Sequence, residues 1–147
     1  MTDKLFYKIE KGELSTNFIR VGNPVAYIVL TPPGYDPTRK EPYPLLLHLH
    51  GGGSTEEEIL ALKPLLELES TPQAPMARFI AVCFYCPGKS PSNSAGGQYL
   101  DYFDGSQQWD RFAIEAFLPH ISRLYHVGNE KIRKTFVVGC SMGGAGA

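Results

Sequence analysis

The sequence TFVVGCSMGGAGA at residues 135–147 joins a strand signal directly to the start of a helix. The β-branched and aromatic run at 135–138 is typical of a buried parallel strand. Small residues follow, and they let a helix pack closely against that strand. Between the two lies the pattern G-x-S-x-G, formed by Gly139, Ser141 and Gly143. The pattern predicts a sharp strand–turn–helix in which Ser141 has a strained, positive φ and projects from the sheet.

A serine at such a turn is a candidate nucleophile for acyl transfer, provided that a base removes its proton. Gly139 and Gly143 leave the room that the sharp turn around Ser141 needs. The alternative interpretation is a serine in an ordinary glycine-rich connection, such as a turn that cradles a phosphate. This strand–turn–helix with a nucleophile in the turn is called a nucleophile elbow. In the architecture that contains it, an acid and a histidine follow the nucleophile along the chain, and residues 142–147 contain neither.

A second motif, LHLHGGGS at residues 47–54, follows another apolar run. In the same architecture the loop after this strand supplies one backbone N–H to the oxyanion, and the residue after the serine supplies the other. We expect these donors to be Gly52, with Gly51 as the alternative, and Met142. Gly53 completes the run of glycines that lets the backbone approach the oxyanion closely. Taken alone, the glycines also fit a flexible loop or an anion-binding turn.

The four histidines are poor candidates for the catalytic base. His50 ends a strand beside the glycine loop, where we expect it to orient that loop by hydrogen bonding. His48 alternates with it and is expected to pack in the sheet. His120 and His126 lie on or after a later helix, which a doubly wound layout places on the far side from the serine.

Cys83 and Cys86 have the spacing C-x-x-C, which also occurs in redox and zinc motifs. Here both fall on a predicted strand with opposite parity, so we expect them to point to different faces of the sheet rather than to form such a site. Cys140, inside the G-x-S-x-G pattern, is expected to be a small buried apolar residue. No metal or other cofactor is predicted.

Strand and helix signals alternate along the chain. We predict edge strands at 5–14 and 24–34, a central strand at 44–50, and buried strands at 78–87 and 135–138. One predicted helix begins at Ser54, with Glu57 in a capping box and a kink at Pro64. A second predicted helix runs from Trp109 and ends at Gly128. The order β, β, β, α, β, α, β predicts an α/β fold with a mainly parallel sheet covered on both faces.

The segment 88–105 is rich in Ser, Gly, Asn and Pro and is predicted to be a long loop. Tyr102 and Trp109 lie in or beside it. One interpretation makes them a wall of a substrate pocket, and the other makes them aromatic cover for the core.

Composition narrows the class of protein. The chain has 147 residues, 43% of them apolar, a net charge of −1 and three cysteines. We therefore expect one domain, no nucleic-acid partner, and no membrane association. The first residues lack the apolar stretch of a signal peptide, so a cytoplasmic location is expected. The oligomeric state is not indicated.

Three segments carry a resemblance to a known family: AYIVLTPPGYDPTRKEPYPLLLHLHGGG (26–53), WDRFAIEAFLPHISRLYHV (109–127) and RKTFVVGCSMGG (133–144). Together they resemble the esterase D and feruloyl esterase-like branch of the α/β-hydrolases. The resemblance implies the α/β-hydrolase fold, Ser141 as nucleophile, hydrolysis of small-molecule carboxylic esters and no metal cofactor. The branch also includes thioesterases and acyl transferases.

The family order of the triad is serine, then acid, then histidine. We therefore expect residues 1–147 to be the N-terminal portion of a single hydrolase domain of about twice this length, with the acid and histidine beyond Ala147. The parent protein is then expected to be a serine esterase. The alternatives are an inactive fragment or non-catalytic binding module of the same fold, or a thioesterase, acyl transferase or peptidase.

Overall fold

The computed structural model describes residues 6–71, 74–75, 78–87, 98–128 and 134–147. The strands are β1 (Lys8–Leu14), β2 (Val25–Thr31), β3 (Leu45–Leu49), β4 (Ser70–Thr71), β5 (Ala74–Pro75), β6 (Ile80–Phe84) and β7 (Thr135–Gly139). The helices are a 3₁₀ helix (Glu56–Ala61), α1 (Lys63–Glu69), α2 (Trp109–Arg111), a π-helix (Phe112–Phe117), α3 (Leu118–Leu124) and α4 (Met142–Gly146).

Five strands form the main sheet in the order β1-β2-β6-β3-β7, and β4 pairs separately with β5. The pairs β1–β2 and β2–β6 are antiparallel, whereas β6–β3 and β3–β7 are parallel. Four strands therefore run in one direction, and β2 alone runs against them. The predicted central strand is confirmed, because β3 lies between β6 and β7.

The prediction of an edge strand at 24–34 is wrong. β2 lies between β1 and β6, and six of its seven residues are buried. Its sequence VAYIVLT has apolar side chains for both faces of the sheet, which suits an interior strand. The edges of the described sheet are β1 and β7.

Helices cover both faces of the sheet, as predicted. On one face Trp109, Phe112, Phe117 and Ile121 pack against alternate strand residues such as Val82. On the other face the core is formed by Ile28, Leu30, Ile59, Leu66, Ala81 and Cys83. The alternation of β6 residues between the two clusters follows from the two-residue period of a strand.

The helix predicted from Ser54 begins one residue later and is divided in two. Thr55 is the N-cap of the 3₁₀ helix, and its side chain accepts a hydrogen bond from the Glu57 N–H at 3.2 Å. Pro64 lies in the first turn of α1, where a missing N–H costs nothing. The predicted capping box at Ser54 and Glu57 is therefore wrong, because the adjacent hydroxyl takes the cap.

The helix predicted to end at Gly128 ends at Leu124. Tyr125 is already extended, with φ −128° and ψ 150°. Before α3 the chain makes a π-helix, which precedes Pro119 in the first turn of α3. Because a proline ring clashes with the carbonyl four residues earlier in a regular helix, the wider π turn accommodates Pro119.

The expectation of a buried strand before the serine is wrong in this chain. Phe136, Val137 and Val138 are 57%, 45% and 40% exposed. β7 pairs with β3 alone in the described sheet, so its outer edge and parts of both faces are uncovered. Cys140, expected to be buried, is exposed for the same reason.

None of the helices in the described part of the chain is long and apolar enough to cross a membrane.

Candidate active site

Ser141 occupies the turn between β7 and α4 with φ 53° and ψ −115°. The predicted positive φ is confirmed, and the side chain is exposed. Two glycines make the turn possible. A Cβ on Gly139 would lie 2.1 Å from the Gly143 carbonyl oxygen, and one on Gly143 would lie 1.8 Å from the Leu49 oxygen. Only glycine fits at either position, because side-chain atoms cannot approach a backbone so closely.

The register of the sheet brings the two glycine motifs together. Leu49 at the end of β3 pairs with Gly139 at the end of β7, so the segments that follow both strands meet at one edge. A Cβ built on Gly51 would lie 4.0 Å from the Ser141 Cβ, and one on Gly52 would lie 3.8 Å from the Met142 Cβ. The two motifs, about 90 residues apart in sequence, are therefore neighbours in space.

The orientation of two successive peptide groups distinguishes Gly51 from Gly52. The Gly51 N–H donates to the Glu58 carboxylate, at 3.1 Å to Oε2 and 3.3 Å to Oε1. The Gly51 carbonyl oxygen accepts from His50 Nδ1 at 2.9 Å and from the Ser54 N–H at 3.1 Å. Since a trans peptide is planar, the Gly52 N–H must point opposite to that carbonyl.

Within the described residues, the N–H groups of Gly52 and Met142 donate to no protein acceptor. Met142 is the first residue of α4, where an N–H has no partner inside the helix. The later amides are used: Gly143 N–H donates to the Cys140 oxygen and Ala145 N–H to the Ser141 oxygen. Both N–H groups are therefore unpaired in the two segments that meet beside the serine, whereas the Gly51 N–H is already occupied.

His50 is fully buried and links three segments at this edge of the sheet. Its Nε2 accepts from the Cys86 N–H at 2.9 Å, and its own carbonyl accepts from the Tyr99 hydroxyl at 3.1 Å. Because Cys86 N–H is a donor, Nε2 carries no proton, and Nδ1–H donates to the Gly51 oxygen. Burial lowers the pKa of His50, so this neutral tautomer persists at pH 7.

Glu58 is the site residue that sequence reasoning missed. Its Oε1 lies 3.0 Å from His48 Nε2, so it joins the sheet to the glycine loop. Burial by itself raises its pKa, but hydrogen bonds from Gly51, Ser54 and His48 outweigh burial and lower it. Glu58 is one of three consecutive glutamates at 56–58, and the sequence does not show which of them the 3₁₀ helix orients toward the glycine loop. His48, expected to pack in the sheet, is indeed buried on β3.

Trp109 and Tyr102 have different surroundings. Trp109 is fully buried, with its indole parallel to the Phe84 ring at a centroid distance of 6.3 Å. It also borders a cleft of about 220 Å³ beside α4, with Leu47, Ala113, Ile114, Val137 and Ala147. Tyr102 does not line this cleft in the described structure. It lies in a turn closed by a hydrogen bond from the Gly105 N–H to its carbonyl oxygen, and residues 88–97 of the predicted loop lie outside the described residues.

The remaining candidates have partners other than Ser141. His120 Nε2 lies 2.9 Å from the Tyr27 hydroxyl on β2. Cys83 and Cys86 belong to the two opposite core clusters, as their parity predicted. Burial raises the pKa of both thiols, that of Cys86 to about 12. Among the residues that the structure describes, no three His, Cys, Asp or Glu side chains converge as metal ligands.

No protein-family model and no curated protein matches the sequence. Solved structures do match the fold. A ferulic acid esterase aligns with a TM-score of 0.79 at 23% identity, over 98% of this chain and 52% of that protein. An S-formylglutathione hydrolase from Agrobacterium tumefaciens aligns with a TM-score of 0.69 at 18% identity. The alignment covers 98% of this chain and 52% of that protein. A fluorophosphonate-binding serine hydrolase, FphF from Staphylococcus aureus, aligns with a TM-score of 0.60 at 16% identity. The alignment covers 93% of this chain and 48% of that protein.

These structures all belong to the α/β-hydrolase superfamily, and the chain spans about half of their length. The chain therefore adopts part of the α/β-hydrolase fold.

Proposed function

We propose that this chain carries the nucleophile and the oxyanion hole of a serine hydrolase that acts on carboxylic esters. One observation carries the proposal: Ser141 is exposed at φ 53° between a strand and a helix, and the segments that meet there contain the unpaired N–H groups of Gly52 and Met142. Backbone donors that are fixed before the reaction stabilise a developing oxyanion without reorganisation.

In the first half of the reaction the Ser141 oxygen attacks the ester carbonyl carbon, and its proton passes to a histidine base. The carbonyl π electrons move to the oxygen, which the Gly52 and Met142 N–H groups hold. Collapse of this intermediate breaks the bond to the alkoxide, which takes the proton from the histidine. Water then attacks the acyl-enzyme in the same way and releases the acid and free Ser141.

In this proposal the base and the acid that orients it are supplied from outside residues 1–147. The order serine, acid, histidine in this architecture supports that assignment. His50 is an unsuitable base, because both of its ring nitrogens hold backbone groups and burial lowers its pKa.

The substrate class proposed is a small-molecule ester. A ferulic acid esterase and an S-formylglutathione hydrolase among the structural neighbours make aromatic esters and thioesters the first compounds to test. Acyl transfer and peptide hydrolysis use the same nucleophile and remain alternatives for the same site. The buried, unpaired thiols of Cys83 and Cys86 fit a reducing compartment such as the cytoplasm.

The test is hydrolysis of p-nitrophenyl acetate by the full-length protein and by its Ser141→Ala variant. We expect the variant to lose about 10⁴-fold or more in kcat, since removal of a catalytic serine removes the acyl-enzyme route. Equal rates for the two proteins would refute the proposal. Ser122→Ala is a matched control, because that hydroxyl bonds the Leu118 carbonyl inside a helix.

A non-catalytic role for the 147-residue chain by itself is the second candidate. It is favoured by the histidines, three of which use ring nitrogens in other contacts: His48 with Glu58, His50 with Gly51 and Cys86, and His120 with Tyr27. On this account the isolated chain reacts slowly with a fluorophosphonate probe, while the full-length protein reacts fast. Fast labelling of the isolated chain would exclude the second candidate.

A further inference from the structure

The Glu58 carboxylate lies behind the glycine loop and accepts hydrogen bonds from two donor groups. Gly51 N–H lies 3.1 Å from Oε2 and His48 Nε2 lies 3.0 Å from Oε1. The Glu58 side chain is 27% exposed. A partly buried carboxylate with this number of donors forms strong, charge-assisted hydrogen bonds, so its position is well defined.

These contacts fix the first peptide group of the loop at both ends. Glu58 holds the Gly51 N–H, and the Tyr99 hydroxyl holds the His50 carbonyl of the same peptide group at 3.1 Å. The next peptide group is fixed by the two donors on the Gly51 carbonyl. Since glycine has wide conformational freedom, the loop depends on these external contacts for its shape.

We propose that Glu58 is a positioning residue that holds the glycine loop in the form that aims the Gly52 N–H at the oxyanion. The inference rests on the proposed function of Ser141 and adds a residue that does not touch substrate. By occupying the Gly51 N–H, Glu58 also makes Gly52 the donor of this loop.

Positioning and mere structural support lead to different kinetics. The oxyanion exists only in the transition state and the intermediate, so a misaimed Gly52 N–H lowers kcat and leaves KM nearly unchanged. Loss of structural support alone would lower the melting temperature while the folded enzyme kept its kcat. A carboxylate that merely repelled the oxyanion would, on removal, raise kcat.

The experiment compares Glu58→Ala, Glu58→Gln and Glu57→Gln in the full-length protein, with p-nitrophenyl acetate as substrate. Loss of an oxyanion-hole donor costs about 10²- to 10³-fold in kcat, so we expect about 100-fold for Glu58→Ala and about 10-fold for Glu58→Gln, which keeps one acceptor. Glu57→Gln removes the same charge one residue away, from an exposed side chain paired with Lys11, and is expected to stay within about 2-fold of the original kcat.

A folded Glu58→Ala variant with unchanged or raised kcat would overturn the inference while leaving the role of Ser141 intact. Should that variant fail to fold, amide NMR of Glu58→Gln decides. We expect the Gly51 amide proton to move upfield, because it loses a charged acceptor, and the Gly52 amide signal to move as well. Unchanged signals for both glycines would overturn the inference, and this readout is independent of activity. Retained activity in Ser141→Ala would instead refute the proposed function.

Discussion

At the scale of single residues, the site depends on backbone that is held where few residues fit. Ser141 has φ 53°, and Gly143 packs against the end of β3 without space for a side chain. Such strain costs on the order of 1–3 kcal/mol per residue and persists only where the surroundings enforce it. The close approach of Gly143 to Leu49 is what enforces it here.

Gly143→Ala is expected to destabilise the protein strongly, because its Cβ would lie 1.8 Å from the Leu49 carbonyl oxygen. We expect a loss of about 3 kcal/mol or more in the free energy of unfolding, together with loss of activity. Gly144→Ala is the control, since its Cβ would meet the Gly139 oxygen at 3.4 Å. Urea unfolding of both variants measures the difference, and equal stabilities would contradict the geometry.

His50 is expected to make folding sensitive to mild acid. Burial lowers its pKa below the ordinary value of 6.5, so the unfolded chain binds its proton more readily than the folded chain. The contribution of neutral His50 to the free energy of unfolding is complete above pH 6.5 and is lost as the pH falls through the lowered pKa. His50→Gln keeps an acceptor for the Cys86 N–H but does not titrate, so its stability should fall less between pH 7 and pH 5.

His120 is expected to affect stability over the same pH range below 6.5, since burial also lowers its pKa. A matched His120→Gln variant separates the two residues in the same unfolding series. If the pH dependence of His50→Gln equalled that of the unmodified protein, His50 would not be the buried neutral imidazole described above.

At the scale of secondary structure, the prediction located the strands well and the burial poorly. The apolar run at 78–87 marks a strand because β6 has buried side chains on both faces of the sheet. Burial of β7 could not be read from its own residues, because it depends on the strands and helices beside it. The position of Glu58 could not be predicted for a related reason, because nothing in the run EEE shows which carboxylate the helix orients toward the loop.

Thr55→Ala is expected to destabilise the 3₁₀ helix that carries Glu58. The Thr55 hydroxyl caps the Glu57 N–H at 3.2 Å, and loss of such a cap costs about 1 kcal/mol. Thr55→Ser keeps the hydroxyl and should stay within about 0.5 kcal/mol of the original stability. Thermal unfolding of the two variants gives the comparison, and equal losses would assign the effect to packing of the methyl group.

At the scale of the whole molecule, the described sheet has one edge that is apolar and uncovered. Phe136, Val137 and Val138 expose about half of their surface on β7, and edge strands of this kind pair with other chains. Ser141 follows this exposed strand directly, so the candidate nucleophile lies beside the uncovered edge of the described sheet.

The 147-residue chain by itself is therefore expected to associate as its concentration rises. Sedimentation velocity should show larger species at high concentration, and Phe136→Lys should reduce them, because an exposed charge opposes strand pairing. Glu13→Lys, on the opposite edge at β1, is the control. A monodisperse chain over a wide concentration range would show that β7 is protected.

The most direct test of the central claim is intact-mass spectrometry of the full-length protein after brief exposure to a fluorophosphonate probe. The account predicts one adduct per chain, located by peptide mapping on Ser141, and none on Ser141→Ala. An adduct on a different residue, or equal labelling of the variant, would contradict the assignment of Ser141 as the nucleophile.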